Sequence, residues 1–229
     1  EELLQVRWPD LRVHVTSVTD QWAGCAIAGP NSRNLLSEVV DDPREISDET
    51  LPFMGVKEVL LQNIPCYIAR ISFSGERAFE VYIPRDYSHA MMQIIWNKAQ
   101  KFESCLYGLE ALGTMRIEKG HAAGNELNGQ TTALNLGLSG FVSKKKDCIG
   151  KTLSQRRELN RDDAIRLVGF KPVNHSQPLL AGSHFISKGD VANMANDQGW
   201  MTSVAFSPTF GHSIGLGFIK RGHERKGEI

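Results

Sequence analysis

No phosphate loop of the full Gly-x-x-x-x-Gly-Lys-Ser/Thr type occurs in the 229 residues, nor a Gly-x-Gly-x-x-Gly run opening a helix after a strand. The usual sequence signs of P-loop nucleotidases and dinucleotide-binding folds are therefore missing. Charge of one sign is missing too. Twenty-six Lys and Arg balance 26 Asp and Glu, which speaks against a general nucleic-acid or membrane-surface role. No apolar run approaches the roughly 20 residues needed to cross a bilayer. Cysteine is sparse: Cys25, Cys66, Cys105 and Cys148 lie far apart, with no Cys-x-x-Cys pair. The seven histidines are separated as well. No metal site is expected, and the cysteines read as reduced thiols of a cytoplasmic protein.

What is present is an ordinary globular composition, 41% apolar, in a chain long enough for one large domain or two small ones. The start, "EELLQVRWPD", is acidic and amphipathic rather than leader-like and resembles the last turns of a helix. The end, "KRGHERKGEI", follows a charged turn. The expectation is a piece of a longer chain.

Hydrophobic spacing organises the rest. "RVHVTSVTDQWAGCAIAGP" alternates through Val13, Val15, Val18, Trp22, Cys25 and Ile27, which predicts two strands turning near Asp20. Asn31 or Ser32 is placed to cap a short helix with Leu35, Leu36 and Val39 on one face. "VKEVLLQNIPCYIARISF" predicts a strand, a turn at Asn63-Ile64-Pro65 and a second strand, and "SGERAFEVYIP" continues the meander. Ala90, Met91, Ile94, Ile95 and Ala99 form a helical stripe. "GLEALGTMRIEKG" predicts a second helix, stopped at Gly120. A Gly- and Asn-rich stretch without periodicity runs from Gly120 to Val142, a loop long enough to suggest function. A basic run and a charged helix from about Gly150 follow, and from Ala164 onward at least four short strands suggest a small barrel or sandwich. The composition shift divides the chain into residues 1–160 and 161–229.

One short stretch raises a chemical question. "ISFSGERAFEVYIP" sets Glu76 just after Ser74-Gly75, with Phe73 and Phe79 on either side. A carboxylate is an acceptor-only fork and matches a flat heterocycle offering two adjacent N–H donors. Such charge-assisted bonds contribute roughly 1.5–3 kcal/mol each. Spacing alone favours the other reading, a solvated hairpin tip. Arg116 and Glu118, two apart on a helix, do not share a face; Arg116 suits an anionic ligand tail or a surface ion pair. His121, in the glycine-rich loop, is the histidine to watch, while His212 reads as structural or solvated. Lys144-Lys145-Lys146 reads as a solvated face or as a patch for polyanions or a partner subunit.

Taken together, three stretches resemble one family. "FSGERAFEVYIP" resembles the aromatic–Thr/Ser–Gly–Glu segment of the aminomethyltransferases, the folate-binding T-protein of the glycine cleavage system and its relatives. "MRIEKGHAAGNELNGQTTALNLGL" and "GWMTSVAFSPTFGHSIGLGFIKRG" resemble that family's central stretch and C-terminal barrel, in the right order. Within it, "WPDLRVHVTSVTDQWAGCAIAGPNSR" and "VSKKKDCIGK" look most like the C-terminal half of the α subunit of heterotetrameric sarcosine oxidase.

The resemblance implies an α+β fold: an antiparallel-sheet and helix folate-binding region (1–160, its upstream part missing), then a small C-terminal β-barrel (161–229, truncated). It implies tetrahydrofolate as ligand, held by Glu76 at the pterin edge with Arg116 and Phe73 near it and Phe141 as a neighbouring aromatic. It also implies flavin and NAD on other domains or subunits, and the remaining oxidase subunits as partners, with neither nucleic acid nor membrane. The reaction implied is capture of the one-carbon unit from oxidised sarcosine as 5,10-methylenetetrahydrofolate, formaldehyde forming without folate.

The departures are specific. Gly140 stands where the family has Trp, and Ala133 where it has Pro. No stretch matches the family's catalytic aspartate region, so no catalytic residue is expected here and the isolated chain is expected to be inactive. Other readings stay open: a free-standing aminomethyltransferase or dimethylglycine-oxidising relative, or a non-catalytic folate-binding module of the iron–sulfur repair type, which Cys148 partly echoes. A segment whose folate binding has decayed is a further one.

Overall fold

A computed structural model describes residues 1–228 and divides the chain into two compact units. The first takes Glu1–Ser72 and Glu76–Cys105; the second takes Phe73–Gly75 and the chain from Leu106 on.

The first unit opens with a one-turn helix, α1 (Glu2–Val6). Its sheet has four antiparallel strands, β1 (Trp22–Ala28), β2 (Val56–Leu61), β3 (Ile64–Ala69) and β4 (Ala78–Pro84), in the order β1-β4-β3-β2. Two helices belong to it, α2 (Ser32–Ser37) and α3 (Ser88–Ala99). The alternation in β4 buries Phe79, Val81 and Ile83, and these meet Leu36, Val39, Ile46, Met91 and Ile95 in one core. The helical stripe is as the spacing predicts, with Met91, Ile95 and Ala99 on the buried side.

Two readings of this unit change. Residues 12–18 form no strand; Val13, Val15 and Val18 are exposed, because alternation alone makes no strand without a partner ladder, and β1 begins only at Trp22. The β2–β3 turn is Gln62-Asn63, both at positive φ, rather than Asn63-Ile64-Pro65. The Asp41 carboxylate accepts from both turn amides, Gln62 N and Asn63 N, at 2.8 Å each.

In the second unit, α4 (Leu109–Lys119) packs on β7 (Gly199–Ser207) and β8 (His212–Lys220). With β5 (Ile165–Phe170) and β6 (His184–Phe185), these make a second antiparallel sheet in the order β5-β8-β7-β6. Ile117, Ile214 and Leu216 form its buried centre, with Leu167 and Ala205 against them. The charged helix expected from Gly150 is a single turn, α5 (Lys151–Ser154), because the sequence beyond it offers no apolar stripe to bury. Gly120 ends α4 as expected. At φ 76° it lets His121 N reach Arg116 O (2.8 Å) and Gly120 N reach Ile117 O (2.9 Å), the paired bonds of a Schellman stop.

Candidate functional site

Glu76 lies in the connection between β3 and β4, and it is exposed. Gly75, just before it, has φ 89°. A side chain on Gly75 would have to adopt an unfavourable backbone conformation, and its Cβ would also lie 2.9 Å from the Lys119 stem. The sequence Ser-Gly-Glu is thus a backbone requirement as well as a chemical one.

Phe73 belongs to the second unit and is 37% exposed. Its ring lies 5.0 Å from that of His121, tilted by 51°, within the centroid range of favourable ring pairs. The histidine singled out from the glycine-rich stretch therefore meets one of the expected aromatic residues. Phe141, in a short 3-10 turn, is 87% exposed. Gly140 beside it has open space where a Cβ would project.

Arg116 is placed inside the second unit. Its Nη1 donates to Glu126 Oε2 at 3.0 Å and to the His121 carbonyl at 3.2 Å, and its Nη2 donates to Ser203 Oγ at 2.6 Å. Glu126 is fully buried. Its Oε2 also accepts from the Ala123 amide at 2.8 Å, and its Oε1 accepts from Thr202 Oγ1 (2.5 Å) and Ser203 Oγ (2.6 Å). Burial pushes the Glu126 carboxyl up. The bonds from Ser203, Thr202 and Ala123, with the Arg116 charge, outweigh that and leave it below its ordinary value.

A strand irregularity makes this cluster possible. Successive strand residues normally point to opposite faces. Between Met201 and Ser203 the β7–β8 register shifts, and Thr202 and Ser203 both reach the same carboxylate oxygen. Glu126, Thr202 and Ser203 were not singled out as site residues, since hydrophobic periodicity does not report a buried polar cluster; they lie within the two stretches that carry the family resemblance. Asn135 is a second such anchor: its Nδ2 donates to Ile165 O and its Oδ1 accepts from Thr132 N. Together Glu126 and Asn135 organise a stretch that has neither helix nor strand.

Glu118, on the other side of α4, accepts from Ser207 Oγ. His212 is buried, with Nδ1 2.8 Å from the Ser213 carbonyl and its ring 4.1 Å from that of His175. Lys144, Lys145 and Lys146 are exposed. Among the described residues no group of three or more His, Cys, Asp or Glu is placed to hold a metal ion, and no helix is long and apolar enough to cross a membrane.

Comparison with known proteins agrees with this architecture. Residues 2–146 match the family described as the GCVT N-terminal domain, and residues 166–229 the glycine cleavage T-protein C-terminal barrel domain. The chain is 41% identical to the sarcosine oxidase subunit alpha of Rhizobium meliloti (strain 1021) across 98% of its own length and 23% of that protein's. It is 36% identical to the same-named subunit of Corynebacterium sp. (strain U-96), across 100% of its length and 24% of that protein's. The chain thus spans about a quarter of these relatives. The crystal structure of glycine cleavage system aminomethyltransferase T from Bartonella henselae superposes with a TM-score of 0.69 at 23% identity, covering 88% of this chain and 52% of that one. The fold class expected from the sequence is the one observed: α+β, with two antiparallel sheets, helices and a C-terminal barrel domain.

Proposed function

The chain belongs to the family of the GCVT N-terminal domain, continued by the glycine cleavage T-protein C-terminal barrel domain, and from that membership we propose a folate-dependent one-carbon transfer module, the folate-binding part of a sarcosine-oxidase-type α subunit. The observation that carries the reading is Glu76, an exposed carboxylate set on a left-handed glycine turn within a stretch matching the family's folate segment. Its two oxygens suit the adjacent ring N–H and exocyclic amine of a pterin. Phe73 offers an accessible ring face beside it in the chain, and Phe141 a second exposed aromatic.

Tetrahydrofolate, when bound, supplies the nucleophilic nitrogens that capture the one-carbon unit. This chain's residues bind and orient it and keep water away, so that transfer outruns hydrolysis to formaldehyde. Arg116 is proposed to serve the site from inside the fold, since its guanidinium is already engaged by Glu126, His121 and Ser203. The product proposed is 5,10-methylenetetrahydrofolate, the donor an oxidised N-methyl amine such as sarcosine. Flavin, NAD and the remaining subunits are proposed to lie on other parts of the assembly, in the cytoplasm.

A free-standing aminomethyltransferase is the second reading, since the two matched domains are those of the glycine cleavage T-protein family. Calorimetric titration with tetrahydrofolate tests the common core of both. The parent chain binds weakly and Glu76→Ala abolishes binding; equal binding by the two proteins removes the pterin role.

A further inference from the structure

The segment Phe73–Gly75 leads directly into Glu76, and within the second unit it rests on the C-terminal turn of α4. Two contacts contribute to that seat. The Phe73 ring meets the His121 ring at 5.0 Å. Gly75 lies so close to the Lys119 stem that no Cβ fits there without a shift. The position of this short segment therefore depends on where α4 ends and on where His121 is held.

His121 is held from the interior. Its amide donates to the Arg116 carbonyl at 2.8 Å, and its own carbonyl accepts from Arg116 Nη1 at 3.2 Å. One residue thus grips both polar groups of the His121 backbone. Arg116 is in turn fixed by Glu126 and Ser203, and Glu126 also fixes the Ala123 amide two residues on. The chain from Gly120 to Ala123 has no helix or strand of its own, so these bonds give it its form.

We propose that this buried arginine–glutamate pair is a positioning device: it fixes His121, His121 fixes the Phe73 ring, and the folate-contacting segment Phe73–Glu76 is thereby pre-set for its ligand. This rests on the proposed folate role of Glu76. Arg116 and Glu126 are then positioning residues that never touch the ligand, and His121 is the link between interior and site. Pre-setting matters because a loop ordered only on binding loses affinity to the entropy of ordering it. His121 needs only a flat ring for this task, so Phe replaces it and Ala does not.

The test has two independent readouts on the 229-residue chain: amide hydrogen exchange across residues 72–77 without ligand, and calorimetric affinity for tetrahydrofolate. His121→Ala is expected to speed exchange in 72–77 about tenfold and to weaken folate binding about tenfold, with the melting temperature nearly unchanged. His121→Phe is expected to restore both. Glu126→Gln is expected to speed exchange in the same segment beyond its effect on the strands. Unchanged exchange at 72–77 in His121→Ala overturns the seat. Faster exchange with unchanged folate affinity overturns its role in binding. A parent chain that binds no folate refutes the folate reading, and exchange then still decides whether the pair and His121 position the segment.

Discussion

Glu126→Gln is the sharpest perturbation of the second unit. The two side chains are nearly equal in size, so packing is kept while charge and one acceptor are lost. The carboxylate now accepts four bonds, two at each oxygen: Arg116 and the Ala123 amide at Oε2, Thr202 and Ser203 at Oε1. An amide NH2 in place of Oε2 faces two obligate donors, Arg116 Nη1 and the Ala123 amide, and can accept from neither; in place of Oε1 it meets the Thr202 and Ser203 hydroxyls, which must turn to accept from it. Arg116 keeps its charge, 9% exposed, without its counterion. Leaving a buried partner uncompensated costs about 3–5 kcal/mol. At roughly 2–4 °C per kcal/mol for a chain of this size, the melting temperature falls by about 6–20 °C. Differential scanning calorimetry at neutral pH reads this directly, with Glu38→Gln, which loses exposed pairs to Lys98 and Lys101, as a control that hardly moves. The same pair of proteins gives a pH test. The folded Glu126 carboxyl titrates below the ordinary value of 4.5. Its contribution is therefore complete above that value and is lost as pH falls through the lower folded pKa. The parent loses this increment on acidification and Glu126→Gln, having none, does not. A Gln variant that melts within about 2 °C of the parent refutes the view of an ionised, fully bonded carboxylate at the centre of this unit.

Other consequences are as direct. Gly75→Ala combines a left-handed φ with a contact on Lys119 and destabilises by about 1–2 kcal/mol, measured by urea unfolding; a neutral effect contradicts the close seat. Gly120→Ala breaks the Schellman stop of α4 and costs about 1 kcal/mol by the same measurement. Asp41→Ala removes the acceptor of both hairpin amides and costs about 1 kcal/mol, with faster exchange at Gln62 and Asn63. Burial pushes the Cys66 thiol up to about 11. Maleimide at pH 8 therefore modifies the exposed Cys105 and Cys148 long before Cys66, and equal rates by peptide mass mapping contradict the buried placement.

What could be read from the sequence were features with a local cause. The stripe of α3, the burial alternation of β4 and the left-handed stop at Gly120 each follow from a few neighbouring residues, and each is present. Residues 12–18 show the limit of that logic: alternation predicts which face a strand would bury, but a strand also needs a partner, which the sequence does not name. The hairpin turn moved to Gln62-Asn63 because two non-glycine residues accept positive φ there, helped by Asp41, which lies 21 residues before Gln62. The site shows the same division. Gly75 and Glu76 were legible as a turn bearing a carboxylate. Arg116 was legible as important, but its partners Glu126 and Ser203 lie 10 and 87 residues away, and only a β-bulge aligns Thr202 with Ser203. His121 stood out by its setting, while its contact with Phe73 is purely tertiary.

The central claim is that Glu76 receives the donor edge of a pterin, and a crystal structure of the chain soaked with reduced folate tests it most directly. The account predicts both carboxylate oxygens within hydrogen-bond distance of the ring N–H and the exocyclic amine. A pterin ring docked elsewhere, with the Glu76 side chain directed into solvent, contradicts it.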